Sequence, residues 1–515
     1  MSKKRTSGSN ANLYAVLAEG FARREPDACA IEAIDAAGAP LYYSWRDIDR
    51  ASARLANLLA GLGMPRDARV AVQVDKSVES LLLYLACLRA GYVYLPLNSA
   101  YQQAEVDYFV ENAEPSLIVC APRSLSWISA IAQARGVANV LTLGDDRTGT
   151  LLERATPMSG RFETVARGAD DLAAILYTSG TTGRSKGAML SHGNLASNAR
   201  TLNLYWRWRD GDVLLHVLPI FHVHGLFVAS HGALLSGSKM IWLPKFDAAQ
   251  AIAQMPRATV FMGVPTMYVR LLDDAGFDAD CTRGMRLFIS GSAPLLTDTF
   301  RQFEARTGQR ILERYGMSET VMLTSNPYDG DRVAGTVGLP LPGVQLRIVD
   351  DQQRPVDGDA IGSIQVKGPN VFGGYWRMPE KTREEFTDDG FFKTGDVGRF
   401  DANGYVSIVG RSKDLIISGG YNVYPKEIES YLDEMDGVLE SAVIGVPHRD
   451  FGEAVVAVVV AQPGSTPEEA TLIAGLKARI AGFKVPKRVH VVDELPRNQM
   501  GKVQKNLLRD RYSDG

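Results

Sequence analysis

The sequence predicts an α/β fold, with a large N-terminal domain of α/β layers plus a β-rich section and a small α+β C-terminal domain. Three observations lead to this prediction. Short apolar runs alternate with helical patterns over the first two thirds of the chain. After about residue 335, Gly and Pro become frequent and the apolar runs shorten. A compact mixture of strands and helices follows Arg411, so we place the two domains at residues 1–411 and 412–515.

The elements of the large domain follow in order. Residues 70–74 are strand-like and residues 77–90 are helix-like, which begins the β/α alternation. Residues 172–177 form an apolar strand that leads into a loop of Thr, Ser and Gly. The apolar runs 260–262 and 287–289 each lead into Gly or Pro and predict further buried strands. In the β-rich section, short strands are predicted at 345–349, 362–366 and 405–409.

The small domain is predicted to contain two helices and two strands. The first helix, 425–435, places four apolar residues on one face: Ile428, Tyr431, Leu432 and Met435. Strands are predicted at 441–446 and 454–461. Thr466 is typical of a helix cap, because Pro467 follows in the first turn and Glu469 lies three residues after the cap. The second helix is therefore predicted to begin there.

Composition and charge exclude several classes of protein. The 515 residues exceed one ordinary domain, and 45% of them are apolar, enough for large cores. A net charge of -3 gives no basic excess for nucleic acid. No apolar run reaches the roughly 20 residues of a membrane span, and residues 1–10 lack the apolar segment of a secretory signal. The four cysteines form no C-x-x-C pair, so we expect a cytoplasmic protein.

The segment TSGTTGRSKG, residues 178–187, is the densest functional signal. It contains three glycines, five hydroxyl residues and two cations. Glycines let backbone N–H groups approach an anion, and hydroxyls and cations add donors. Because the segment follows a predicted strand, we interpret it as a loop for nucleotide phosphates, although it lacks the Walker A spacing. The alternative is a flexible surface loop.

Six motifs in a single order resemble those of the adenylate-forming superfamily, which contains acyl-CoA synthetases, luciferases and the adenylation domains of peptide synthetases. The phosphate loop is the first. The others are LPIFHVHG (218–225), YGMSE (315–319), FKTGD (392–396), GRSKD (410–414) and PRNQMGK (496–502). The resemblance implies ATP-dependent formation of an acyl-adenylate, with Mg²⁺, and transfer of the acyl group to coenzyme A. It also implies a mobile C-terminal domain that rotates between these two half-reactions.

The resemblance assigns a nucleotide-binding role to each matching residue. The β- and γ-phosphates would contact Thr178, Ser179, Gly180, Thr181, Thr182 and Lys186. The adenine would be lined by Gly291, Ser292, Ala293, Glu313, Arg314 and Tyr315. Ser318 would contact the α-phosphate, while Asp396 and Arg411 would reach the ribose. Glu319 would hold Mg²⁺, a hard cation that suits carboxylate and phosphate oxygens.

The remaining roles concern catalysis and the moving domain. Lys502 would bridge the substrate carboxylate and the α-phosphate, and Lys502, Glu319 and His222 form the predicted catalytic set. Lys413 would be the hinge. Gly419 and Gly420 would line the coenzyme A tunnel, where only a backbone without side chains leaves room.

These residue types fit the chemistry. An ionised carboxylate attacks the α-phosphorus, so cations must screen two anions and no base is required. A thiol with a pKa of roughly 8.5 needs little help in the second step. Non-catalytic roles stay open for single residues. Glu319 and Asp396 could form ordinary ion pairs, and Lys502 could be a solvated surface lysine. His222 and His224 could bind a metal with His216 or His231, although we expect His222 to line the acyl pocket.

The acid is predicted to be malonate or methylmalonate. A diacid needs a second cation for its distal carboxylate, preferably a bidentate Arg. The segments 285–295, 313–320 and 324–332 resemble malonyl-CoA synthetases, which assigns Arg286 to the distal carboxylate and Met317 to the 2-position carbon. Val223 stands where those enzymes usually have Thr, which favours a more apolar pocket and a 2-alkyl malonate. The alternative for Arg286 is a structural arginine.

Other functions stay open at this point. The chain could be a ligase for another short acid, or an adenylation enzyme that loads a separate carrier protein. A nucleotide-sensing relative without catalysis is a third class, but the intact acidic and basic motif residues argue against it: Lys186, Glu319, Asp396 and Lys502. Lys502 is also a candidate for a lysine acetyltransferase, since its charge would control adenylation.

Overall fold

A computed structural model describes residues 10–34, 39–178, 185–418, 421–448, 452–498 and 501–513. It confirms the predicted α/β fold with a large N-terminal part and a smaller C-terminal part. The strands of the large part are β1 (Cys29–Ile34), β2 (Pro40–Ser44), β3 (Arg69–Gln73), β4 (Val93–Pro96), β5 (Leu117–Cys120), β6 (Asn139–Thr142), β7 (Leu172–Thr178), β8 (Lys186–Ser191), β9 (Val213–His216), β10 (Lys239–Trp242), β11 (Val260–Gly263), β12 (Leu287–Ser290), β13 (Leu312–Met317), β14 (Val321–Ser325), β15 (Leu339–Pro340), β16 (Gln345–Val349), β17 (Gly362–Lys367), β18 (Phe392–Phe400) and β19 (Val406–Arg411).

Helices lie between these strands. They are α1 (Leu13–Phe21), α2 (Trp45–Gly61), α3 (Val78–Ala90), α4 (Gln103–Ala113), α5 (Leu125–Ala134), α6 (Thr150–Ala155), α7 (His192–Tyr205), α8 (His231–Ser236), α9 (Ala248–Gln254), α10 (Pro265–Leu272), α11 (Thr297–Thr307) and α12 (Pro379–Glu385). A π-helical segment, His224–Ser230, precedes α8. The smaller part contains β20 (Ile416–Ser418), β21 (Tyr421–Val423), α13 (Pro425–Asp433), β22 (Val438–His448), β23 (Gly452–Ala461), α14 (Glu469–Lys477), β24 (Arg488–Val492) and α15 (Lys505–Tyr512).

Within the described residues, the strands of the large part form three sheets. A nine-stranded sheet has the order β15-β14-β13-β12-β11-β9-β10-β1-β2, and a six-stranded sheet has the order β6-β5-β3-β4-β7-β8. The β-rich section is the antiparallel sheet β16-β17-β18-β19. The smaller part has its own sheet, in which β24 pairs with β23 beside the order β21-β20-β23-β22.

Local sequence explains why these elements begin and end where they do. Ser77 and Ser80 form a capping box at the start of α3, and Gly91 ends that helix in the left-handed conformation, with φ 73°. The predicted start of the second C-terminal helix at Thr466 is wrong, because α14 begins at Glu469. The Glu469 carboxylate accepts the backbone N–H of Val489 at 2.9 Å, which ties the first turn of the helix to β24.

The apolar cores divide at the same place as the sheets. The largest core cluster reaches from Leu13 to Val406, whereas two smaller clusters begin at Ile416 and Ala442 and belong to the C-terminal sheet and its helices. A short 3₁₀ turn, Ser412–Asp414, connects the two parts. No helix in the described ranges is long and apolar enough to cross a membrane.

Candidate active site

Several predicted motifs meet at the carboxyl ends of parallel strands in the nine-stranded sheet. β9, β11, β12 and β13 are parallel neighbours, and ligands bind at the carboxyl ends of such strands. β9 leads into the segment that contains His222, β12 leads into Gly291, and β13 carries Glu313 and Arg314. The sheet therefore brings together residues that are far apart in the sequence.

The predicted phosphate loop joins two strands of the six-stranded sheet. Thr178, the last residue of β7, pairs with Lys186, the first residue of β8, in antiparallel register. The intervening candidates Ser179, Gly180, Thr181 and Thr182 lie outside the described residues. The Lys186 ammonium lies 3.6 Å from Glu385 Oε1 and 4.4 Å from the centre of the Tyr375 ring.

Glu319 has the surroundings of a metal ligand. It is buried in the turn between β13 and β14, and its Oε1 accepts a 2.9 Å hydrogen bond from the Tyr375 hydroxyl. Burial raises the pKa of this carboxyl. No described Lys or Arg lies within ion-pair distance, so a bound divalent cation would compensate the charge. Since Mg²⁺ usually binds one or two protein carboxylates together with substrate phosphates, Glu319 fits that ion.

The alternative metal site at His222 and His224 finds no support. The part of the chain that the structure describes has no group of three or more His, Cys, Asp or Glu side chains that could hold a metal. His216 Nε2 is instead 3.1 Å from both the Gly225 carbonyl and the Ser230 hydroxyl.

Asp396 and Arg411 form an ion pair in the β-rich sheet, in which the carboxylate is buried and the arginine is partly exposed. They are cross-strand partners on β18 and β19, and Arg411 Nε lies 2.6 Å from Asp396 Oδ1. The Tyr315 hydroxyl donates to the other oxygen, Oδ2. Burial, together with this carboxylate, holds the pKa of Tyr315 well above its usual range. Both oxygens of Asp396 thus have donors, which fixes its orientation beside the predicted adenine residues.

The predicted adenine lining follows β12 and β13. Glu313 is buried, and burial raises its pKa to about 8, so the protonated carboxyl can donate a hydrogen bond near neutral pH. Ser292 adopts φ 73°, a left-handed conformation that is uncommon for a residue other than glycine. Its hydroxyl lies 3.4 Å from His224 Nδ1. Ala293 and Ser318 are both partly exposed in the adjoining turns.

Arg314 lies on the opposite face of β13 from its neighbours Glu313 and Tyr315, and next to Gly291. Neighbouring residues of a strand point to opposite faces, and a Cβ on Gly291 would overlap the Arg314 guanidinium. Nε and Nη2 of Arg314 are buried, and no described atom accepts a hydrogen bond from them. Burial lowers its pKa to about 9. A buried guanidinium with no described acceptor for two of its nitrogens favours an anionic ligand.

The histidines beside Arg314 are uncharged. Burial, followed by the positive charge of Arg314, lowers the pKa of His222 to about 4 and that of His224 well below its usual range. His222 is partly buried, and its Nδ1 lies 3.4 Å from the backbone N–H of His224. Val223 is fully packed at the start of the π-helical segment. Met317 is partly buried, with its Sδ 3.9 Å from the Tyr315 hydroxyl.

The contacts of Arg286 favour its alternative role, a structural arginine, over the predicted role at the distal carboxylate. Its Nε lies 2.7 Å from Oδ1 of the buried Asp212, and its guanidinium stacks 5.2 Å from the ring of Tyr328. Arg286 precedes β12, whereas Gly291 follows it. A rise of about 3.3 Å per residue separates their Cα atoms by roughly 16 Å. Arg286 therefore lies at the opposite end of the strand, in the position of a structural arginine. The alternation of side chains along β13 is the sequence signal that could have separated Arg314 from its adenine-lining neighbours.

Lys502 and Lys413 both lie near the Asp396–Arg411 pair. Lys502 is held in a hairpin, in which its backbone N–H donates to Asn498 Oδ1 at 3.0 Å. Desolvation and then Arg411 lower the pKa of Lys502, while Asp396 opposes that shift. The same two causes lower the pKa of Lys413 to about 8. The predicted coenzyme A residues Gly419 and Gly420 lie outside the described residues.

The fold and the site together define an enzyme that brings ATP and a carboxylic acid together at the carboxyl ends of parallel strands. The chain matches the AMP-binding enzyme family over residues 18–376 and the AMP-binding enzyme C-terminal domain over residues 427–502. The chain belongs to this family of adenylate-forming enzymes, as its motifs predicted.

Several relatives share most of the chain. It is 37% identical to malonate–CoA ligase of Arabidopsis thaliana, over 87% of this chain and 79% of the plant enzyme. It is 36% identical to a mitochondrial malonate–CoA ligase of Mus musculus, over 92% and 88%. ATP-bound MatB from Rhodopseudomonas palustris is 57% identical, with a TM-score of 0.94 over 98% of this chain and 99% of MatB. Apo MatB has a TM-score of 0.84, so this structure matches the ATP-bound form better.

Proposed function

We propose that this chain is a malonate–CoA ligase. It uses ATP to convert malonate into malonyl-adenylate, releases pyrophosphate, and transfers the malonyl group to coenzyme A with release of AMP. The observation that carries the proposal is the buried guanidinium of Arg314, whose Nε and Nη2 lack described acceptors beside the neutral His222. A monoacid would leave that charge without a partner, whereas the distal carboxylate of malonate would pair with it.

The first half-reaction follows from the positions of the cations. Arg314 binds the distal carboxylate, and Lys502 draws the reacting carboxylate and the α-phosphate together. Lys186 binds the outer phosphates. Glu319 would hold Mg²⁺, which would neutralise charge on the phosphate oxygens. His222 stays neutral near pH 7, so it packs against the acyl group and offers a hydrogen bond without adding charge. The attacking carboxylate is already ionised, and no side chain must remove a proton.

The second half-reaction requires the C-terminal part to move. We propose that residues 412–515 rotate about Lys413, taking Lys502 out of the site and bringing the segment of Gly419 and Gly420 to coenzyme A. Two features support this proposal: the apolar cores separate between Val406 and Ile416, and only a 3₁₀ turn connects them. Ser318, Asp396 and Arg411 keep the roles predicted for the α-phosphate and the ribose.

The 2-position of the acid faces apolar residues. Val223 and Met317 are the proposed contacts of this carbon. Because Val cannot donate a hydrogen bond, the pocket is more apolar than one with Thr, and methylmalonate is the second candidate substrate.

We further propose that Lys502 is subject to reversible acetylation, since loss of its charge would stop adenylation. The proposed compartment is the cytoplasm, in agreement with four free cysteines.

One experiment tests the proposed reaction. Purified protein is given ATP, Mg²⁺, coenzyme A and one acid from a panel of malonate, methylmalonate, butyrate, benzoate and octanoate, and AMP release is measured. We expect malonate and methylmalonate to give the highest kcat/KM, with release dependent on coenzyme A. A higher kcat/KM for butyrate or benzoate would contradict the assignment, and AMP release without a thioester product would indicate a different acceptor.

A further inference from the structure

One carboxylate oxygen is shared by two lysines beside the start of β8. Oε1 of Glu385 lies 3.6 Å from the Lys186 ammonium and 3.1 Å from the Lys381 ammonium. Lys186 and Glu385 are each about a quarter exposed, at 23% for both side chains. The cation predicted to bind ATP phosphates is therefore paired with a carboxylate of the protein itself.

Backbone pairing places these residues together. The backbone N–H of Trp376 donates to the Gly187 carbonyl at 2.8 Å, and Met189 donates to Gly374 at 3.0 Å. This pairing lays the segment before α12 along β8, next to Lys186. Lys381 and Glu385 then lie one turn apart on α12, at i and i+4. The arrangement is built from two elements of the fold and does not depend on a loop.

The same contacts reach the metal candidate. The Lys186 ammonium lies over the Tyr375 ring, and the Tyr375 hydroxyl donates to Glu319. Lys186, Tyr375 and Glu319 therefore form a chain of contacts. Glu385 contacts the lysine at one end of this chain, and the carboxylate at the other end is the proposed ligand of Mg²⁺. Lys381 has a raised pKa because of Glu385 and then Glu384, so it is a cation at neutral pH.

We propose that Glu385 is an internal competitor for the phosphate groups of ATP and pyrophosphate. It holds Lys186 between turnovers, yields it to the more highly charged phosphates, and takes it back when pyrophosphate leaves. Lys381 keeps Glu385 paired while Lys186 is bound to phosphate, so the exchange leaves no carboxylate without a cation. Glu385 and Lys381 are positioning residues that set the affinity for phosphates and the ease of pyrophosphate release. This inference rests on the proposed function for the identity of the leaving group.

Substitutions of Glu385 and Lys381 should change the affinity for ATP and pyrophosphate in opposite directions. Glu385→Gln frees Lys186, so ATP and pyrophosphate should bind more tightly. Lys381→Met leaves Glu385 with only Lys186 as a lysine partner, so both ligands should bind more weakly. A partly exposed ion pair is worth little, and we expect changes of about two- to fivefold, equivalent to about 0.4–1 kcal/mol.

Glu384 supplies a matched control. It neighbours Glu385 on α12 and lies 3.1 Å from Lys381, but among the described contacts it does not reach Lys186. Glu384→Gln removes the same charge from the same helix, so a general electrostatic effect would appear in both Gln variants. Only Glu385→Gln should change phosphate binding by severalfold.

The experiment measures the Kd of ATP and of pyrophosphate by calorimetry in the full chain, with Mg²⁺ and without acid, for wild type and the three variants. Opposite shifts for Glu385→Gln and Lys381→Met, with little change for Glu384→Gln, would support the exchange. Equal Kd values, shifts of the same sign, or an equal shift in the control would overturn it. Because binding is measured without turnover, a failure of the malonate assay affects only the proposed function. Product inhibition by pyrophosphate should be stronger in Glu385→Gln and the KM for the acid unchanged.

Discussion

Two arginines of the large domain should respond to the same substitution in opposite ways. Arg314→Met removes a buried guanidinium of which two nitrogens have no acceptor among the described residues, whereas Arg286→Met removes the partner of the buried carboxylate of Asp212. Met keeps an unbranched apolar chain in both places. We expect Arg314→Met to increase the free energy of unfolding and to abolish selection for malonate. Arg286→Met should lower the free energy of unfolding and leave selection intact.

The structure gives the magnitudes. The pKa of Arg314 falls from its ordinary value near 12.5 to about 9, which corresponds to a penalty of about 5 kcal/mol at 1.36 kcal/mol per unit. For a cation with a depressed pKa, the penalty is complete below pH 9 and is relieved only as the pH rises toward 12.5. Part of it should be recovered in Arg314→Met, about 1–4 kcal/mol. Loss of the partner for a buried carboxylate costs about 3–5 kcal/mol, so kcat/KM for malonate should fall by between about 100-fold and about 4,000-fold.

Urea unfolding at pH 7.5 and kcat/KM for malonate and butyrate test both variants together. The ratio of malonate to butyrate should fall by at least about 100-fold in Arg314→Met. In Arg286→Met the ratio should stay at the wild-type value, while unfolding costs about 3–5 kcal/mol less. The reasoning is refuted if Arg314→Met is destabilised and keeps the ratio, or if Arg286→Met changes it.

Three further predictions concern the moving lysines and the buried histidines. Lys502→Ala should lower the rate of adenylation by about 10³-fold, which corresponds to a barrier higher by roughly 4 kcal/mol. The same variant should form thioester from supplied malonyl-adenylate at the wild-type rate. Equal losses of rate in both assays would mean that Lys502 acts in both steps. Lys413→Pro fixes φ at the proposed hinge, so the variant should form adenylate but transfer the malonyl group slowly. Single-turnover assays of each step measure this. An equal loss of rate in both steps would argue against the hinge. Desolvation depresses the pKa of several histidines, and for three of them to about 3–4: His192, His222 and His231. Because the unfolded chain binds protons to them near pH 6.5, stability should be complete above that pH and be lost as the pH falls toward 4, by about 2 kcal/mol for each histidine at pH 5. Urea unfolding at pH 7.5 and 5.0 measures this, and equal free energies would contradict it.

Much of the fold was present in the local sequence. Buried strands such as β7, β11 and β12 are short apolar runs bounded by Gly or Pro, and the serine caps of α3 mark its start. These features depend on neighbouring residues, so periodicity and capping rules predict them. The start of α14 was missed because a distant partner, the backbone of Val489, holds Glu469 at the first turn.

The sequence by itself determined the family, because six ordered motifs carry the chemistry of ATP and an acid. It could not determine which arginine meets the acid. Arg286 and Arg314 are both close in sequence to pocket motifs, but one precedes a strand and pairs with Asp212, while the other lies against Gly291. The tertiary structure distinguishes their surroundings, since a charge is neutralised by whatever carboxylate lies beside it in space: Asp212 neutralises Arg286, whereas no described carboxylate pairs with Arg314. The shared oxygen of Glu385 has the same origin: it depends on β8 and α12 being neighbours, which no local pattern records.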